Sequence, residues 1–201
     1  MKKLRAVANF SLFTFLFSLL LSCEADNEYS TWPCRFAYDN STHQDATLAS
    51  AMDANVPGMF CQITESVRGG VKYLNFKSNH QAESSLPETE AEKRAEYILG
   101  LNNGIIVGFQ NAVLDDFGRA RFVAYDVQCP NCVRQYNNTL SPNYGVSMSD
   151  SGIATCSKCG RRYDLNNGGL LQNGQEGDTN LEKYAASTSG PYGLLSVFRH
   201  R

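Results

Sequence analysis

No GxSxG or HExxH segment occurs in the 201 residues, so the chain offers neither a nucleophile elbow nor the two-histidine helix of a metalloprotease. Histidine is scarce: His43, His80 and His200 are the full complement, scattered along the chain, and they read as surface or core residues rather than ligands. The most obvious carboxylate pair, Asp115-Asp116, falls in an expected turn where solvation explains it, and a hydrolytic enzyme has little support. Trp32 is the sole tryptophan and, with the scattered tyrosines, reads as an ordinary packing aromatic rather than a sugar platform. Basic residues are not in excess: 18 Lys and Arg stand against 20 Asp and Glu, for a net charge of -2. They do not cluster either, which argues against a nucleic-acid partner, because a polyphosphate needs a concentrated cationic footprint. A long apolar span is also missing. Phe10 to Leu21 is about 12 residues, where a helix crossing the hydrocarbon core needs about 20.

That short run has another use. Lys2, Lys3 and Arg5 precede it, and only Ser11, Thr14 and Ser18 interrupt it, which is the anatomy of a signal peptide over residues 1–22. Leu20-Leu21-Ser22-Cys23 then resembles the bacterial lipobox, in which a small residue precedes the cysteine that becomes diacylated. The resemblance implies cleavage before Cys23 and a lipoprotein held on a membrane by its acyl chains, palmitate among them. Each buried methylene contributes about 0.8 kcal/mol, enough for stable anchoring without a spanning helix. An ordinary signal peptide followed by a coincidental cysteine is the alternative, and it would leave an unpaired thiol on a secreted protein. Cleavage removes three of the 18 basic residues and none of the 20 acidic ones, leaving 15 against 20, a net of about -5. Glu24 to Glu28 is polar and acidic and reads as a tether, so residues 23–33 form the lipidated cysteine and its linker. Residues 34–201 form one domain. The expected place is the cell envelope, outside the cytoplasm, with the outer membrane or cell surface favoured, and the membrane is the one partner implied.

With Cys23 assigned to lipid, six cysteines remain. Cys34 and Cys61 stand alone and are a possible disulfide in an oxidising compartment. Cys129-Pro130-Asn131-Cys132 and Cys156-Ser157-Lys158-Cys159-Gly160 are two CxxC knuckles. Two residues between cysteines let a tight turn aim both sulfurs at one ion, and two knuckles on neighbouring loops complete a tetrahedral thiolate cage, so Cys129, Cys132, Cys156 and Cys159 are candidate metal ligands. A pair of disulfides is the alternative. A thioredoxin-like thiol exchanger would want a CxxC at the start of a helix, and neither pair precedes a helical pattern.

The rest of the chain reads as strands and turns. Val71 to Phe76, Gly104 to Phe109 and Arg119 to Tyr125 carry strand composition, the last alternating as a half-buried strand. The turn at Asp115 to Gly118 joins the latter two into a hairpin. Ser85 to Glu90 offers a helix start, with Ala91 to Leu99 as the one short helix before Gly100. Leu170-Leu171 and Leu194 to Phe198 look like closing strands, and Gly174 to Ser189 a polar loop. No repeat beyond the paired knuckles is evident. The fold class is mostly β, a small sandwich or barrel with a knuckle subdomain at residues 127–165.

From Gly104 to about Gly174 the chain resembles the Rieske ferredoxin-like domain, through GIIVGF, FVAYDVQCPNC and CSKCGRRYDLNNGGLLQNG. Cys129 and Cys156 fall on the two family cysteines, and Gly160, Tyr163, Asp164 and Gly168 on positions after the second loop. The histidine ligands are not retained: Asn131 stands where the first would be, and Cys159 replaces the second. In a Rieske centre two histidines hold one iron. Their loss implies four thiolates instead, suited to one Zn or Fe or to a [2Fe-2S] cluster. Zn on four thiolates is coordinatively closed, which makes the leading expectation a lipid-anchored binding or structural protein with a structural zinc. A [2Fe-2S] electron carrier with an unidentified redox partner and a metal-free, disulfide-paired domain are the alternatives.

Overall fold

The computed structural model describes residues 28–115, 117–139 and 144–200. The signal segment, Cys23 and Asp116 lie outside the described residues.

Ile105, Ile106 and Val107 are all fully buried, and a continuous apolar run in a strand means that both of its faces are covered. This is the organising fact of the fold. Strand β5 (Ile105–Leu114) sits in the middle of an eight-stranded antiparallel sheet ordered β1-β12-β11-β6-β5-β2-β3-β4. Its other members are β1 (Arg35–Asp39), β2 (Phe60–Arg68), β3 (Val71–Ser78), β4 (Glu83–Pro87), β6 (Ala120–Asp126), β11 (Lys183–Thr188) and β12 (Leu194–Phe198). The sheet curls into a half-barrel. Ile105, Val107 and Ala124 point to one face, where they pack with Phe36, Tyr38, Ile63, Phe76 and Leu195, under helices α1 (Asn40–His43) and α2 (Ala46–Ala51). Ile106, Val123 and Tyr125 point to the other, toward a second sheet ordered β10-β9-β8-β7. That sheet comprises β7 (Val146–Met148), β8 (Ile153–Cys156), β9 (Arg162–Asp164) and β10 (Leu170–Leu171). β6 is therefore covered on both faces toward its C-terminal end, not half-buried as its alternation implied.

The two sheets are joined by packing and by polar contacts. Tyr125 donates to the Leu165 carbonyl at 3.0 Å, and Gln110 Nε2 donates to the same carbonyl at 3.1 Å. Burying a tyrosine costs little when its hydroxyl finds a partner of this kind.

Among the described residues strand accounts for 42% and helix for 16%, in keeping with a mostly β class. The β5–β6 hairpin, β3, β10 and β12 lie where their composition placed them. Helices depart from expectation. Four are present among the described residues, including α3 (Glu90–Ala95) and α4 (Pro130–Tyr136). Thr89 caps α3 through a capping box with Glu92, but the helix stops at Glu96, whose φ of 48° is left-handed. Tyr97 then packs edge-on against Phe36, and Leu99 enters the core. Continuing the helix to Gly100 would take both off the sheet. Asp39 and Asp45 cap α1 and α2 and were signals left unread. The polar stretch after Gly174 contains β11, which alternates Tyr184 and Ala186 toward the core with Lys183 and Ala185 outward.

Candidate metal centre

Each knuckle is built by a different local device. The first begins where β6 leaves the large sheet: Gln128 N–H donates to Asp126 Oδ1 at 2.6 Å, and Cys129 N–H donates to the Tyr144 carbonyl at 2.8 Å. Cys129 is the N-cap of α4, with Pro130 in the first helical turn where its missing N–H costs nothing. A CxxC thus does start a helix, which corrects the reading that neither pair precedes one. The second knuckle is the β8–β9 turn. Cys156 ends β8, its N–H reaches the Arg161 carbonyl at 2.9 Å, and Gly160 takes a φ of 72° to close the turn.

The fold brings the four sulfurs together. Those of Cys129, Cys132, Cys156 and Cys159 all lie within 4.8 Å of one another. Across the knuckles Cys129 and Cys159 are 3.7 Å apart and Cys132 and Cys156 3.8 Å. A tetrahedron of thiolates at about 2.3 Å from a central ion has edges of about 3.8 Å. The donor set fits one such ion. Cys129, Cys132 and Cys156 are buried and Cys159 is partly exposed; all four are free thiols. Hydrogen bonding from Cys156 and burial push the Cys129 thiol well above its usual range, and burial pushes Cys132 up to about 12. Cys129 and Cys132, raised in this way, keep their protons unless a cation reverses the balance.

Around the sulfurs lies a ring of polar groups. Tyr163, fully buried on β9, holds its hydroxyl 3.0 Å from Cys129 Sγ and accepts from Asn131 Nδ2 at 3.0 Å. Arg161 grips Asp178 with two bonds of 2.9 Å. Asp178, and after it the Cys159 sulfur, hold the Arg161 guanidinium firmly protonated. Lys158 of the second knuckle lies 5.5 Å over the ring of Tyr136, which ends α4 of the first.

Cys34 and Cys61, the possible disulfide, are both free and buried. The Cys34 thiol faces the Val197 carbonyl and the Cys61 thiol the Gln62 carbonyl, and the possible bridge is not made in this structure. His43 pairs with Glu92 at 2.9 Å, while Asp115 is tied up by Arg119; neither belongs to the cysteine site. The Arg161–Asp178 pair was missed because its partners lie 17 residues apart in unlike segments. Tyr163 had a signal: an aromatic between Arg162 and Asp164 on a strand faces inward, toward the cysteines.

Comparison with protein-family models, with curated proteins and with solved structures finds no match. What the four cysteines do is argued from their geometry.

Proposed function

We propose that this chain is a lipid-anchored protein of the bacterial cell envelope whose four cysteines hold a single zinc ion that closes the second sheet onto the first. The observation that carries it is the compactness of the sulfur cluster, all four atoms within 4.8 Å. A [2Fe-2S] cluster sets two irons side by side, each with two cysteines, and spreads the sulfurs of one iron more than about 5 Å from those of the other. The compactness of the cage favours one ion over that arrangement. Zn on four thiolates has no open position, so its contribution is a cross-link between the β6–α4 junction and the β8–β9 turn. Such sites contribute an apparent 10–16 kcal/mol in small peptides, about the scale of a whole domain's stability.

The anchor rests on the Lys2-to-Cys23 pattern. Among the described residues no helix is long and apolar enough to cross a membrane. The test is metal analysis with an absorption spectrum on the domain from residue 24, together with palmitate labelling of the full chain and its Cys23→Ser variant. About one Zn per chain, no visible colour, and label lost with Cys23 are the expected results. Iron with sulfide would move the function to electron transfer, and label retained without Cys23 would remove the anchor.

A further inference from the structure

Asn131 stands where the Rieske-like pattern would put an iron ligand, and besides the Tyr163 hydroxyl beside Cys129 its side chain reaches a third segment. Asn131 Oδ1 accepts from the Thr179 backbone N–H at 2.9 Å, and Nδ2 donates to the Thr179 carbonyl at 2.8 Å. This pair of opposed bonds fixes which way the amide points. Arg134, two residues beyond Cys132, donates to the Gly177 carbonyl at 2.8 Å and to Asn131 Oδ1 at 2.7 Å. From the other knuckle Arg161, two residues beyond Cys159, makes its bidentate pair with Asp178. Gly177, Asp178 and Thr179 are thus gripped from both knuckles at once, the first through Asn131 and Arg134, the second through Arg161. Just beyond the segment, Leu181 and Glu182 are tied to Gly169 and Asp126.

A segment held by both halves of a cage sets the spacing of those halves. We propose that residues 177–179 form a polar staple across the two cysteine knuckles, with Asp178 and Asn131 as positioning residues that preorganise the four sulfurs for the ion. The proposal rests on the single-ion reading above. It has a reciprocal consequence, because two events coupled in free energy act on each other equally: the staple raises affinity for the ion, and the ion tightens the staple. Asp178, Thr179 and the residues to Lys183 also line one wall of a groove of about 480 Å³ with Glu28, Tyr29 and Ser30.

The experiment compares the wild-type protein with Asp178→Ala, Asp178→Asn, Arg161→Ala and the double alanine variant. Zn(II) affinity is measured by chelator competition, and amide exchange with and without Zn(II). Orienting partners of metal ligands typically contribute 10- to 100-fold in affinity, so each alanine variant is expected to bind about tenfold more weakly, with Asp178→Asn between it and wild type. The double variant is expected to be no weaker than either single one, as coupled partners are not additive. Adding Zn(II) should slow exchange at 176–180 in the wild type while leaving β1 and β12 unchanged. If Asp178→Ala binds Zn(II) as tightly as wild type, the staple is overturned and the metal reading stands. If wild type itself binds no Zn(II), the metal reading falls and the proposal with it. A loop whose exchange ignores Zn(II) also overturns the coupling.

Discussion

Burial at the end of β6 sets the behaviour of Asp126. Loss of water raises its carboxyl from the ordinary 3.8 to about 6, against hydrogen bonds from Tyr184 Oη at 2.6 Å and from the Leu101 and Gln128 amides that favour the charged form. With the folded value above the unfolded one, the folded state holds the proton more tightly. Stability from this group is fully present below about pH 4 and is lost as pH rises through about 6. Carbon-13 NMR of the Asp126 carboxyl is expected to titrate near pH 6, and Asp126→Asn to remove that slope from the stability profile; a midpoint near 4 would contradict the burial argument. At the cysteines, Cys132→Ser or Cys156→Ser should drop bound metal from about one per chain to under about a tenth, since a serine hydroxyl is a poor ligand for a thiolate site. Cys34→Ser, remote from the cage, should keep the metal, and elemental analysis reads both. The four ligands were legible because CxxC spacing is a local property of the chain. Asn131 was legible as a departure from the Rieske-like pattern, but its use as a contact to Thr179 was not.

Among the elements, legibility followed how much of the cause was local. The β5–β6 hairpin has its strands and turn in one stretch of sequence and was read. α4 was missed because Pro130 to Tyr136 shows no apolar stripe; it forms because Pro130 opens it and because Cys132 and Val133 are buried against the second sheet. α3 was given too many residues, since good helix formers run on past Glu96 and only the sheet demands Tyr97 and Leu99. Gly108 shows the same dependence from the opposite side. It pairs with Phe60 between β2 and β5, where a Cβ would strike the Met59 carbonyl and the Phe60 ring. Gly108→Ala is expected to destabilise by about 2 kcal/mol through overpacking, read as a lowered urea midpoint with unchanged slope. An unchanged midpoint would mean that β2 and β5 can separate without cost.

Across the whole molecule, one sheet serves two cores, and Trp32 packs against both. Removing the metal should therefore loosen the second sheet before the first. Chelation is expected to shift the emission of Trp32 and lower the thermal midpoint by about 5 °C or more while far-ultraviolet dichroism keeps its strand signal. Collapse of that signal would mean that the large sheet depends on the ion as well. The sequence by itself determined the strand-rich class and the four-cysteine set, because composition, alternation and two-residue spacing are properties of neighbours along the chain. Only the tertiary structure decided that Cys34 and Cys61 are free thiols, that the four sulfurs meet within 4.8 Å, and that 177–179 bridges the knuckles, because those outcomes depend on segments tens of residues apart meeting on a sheet buried on both faces.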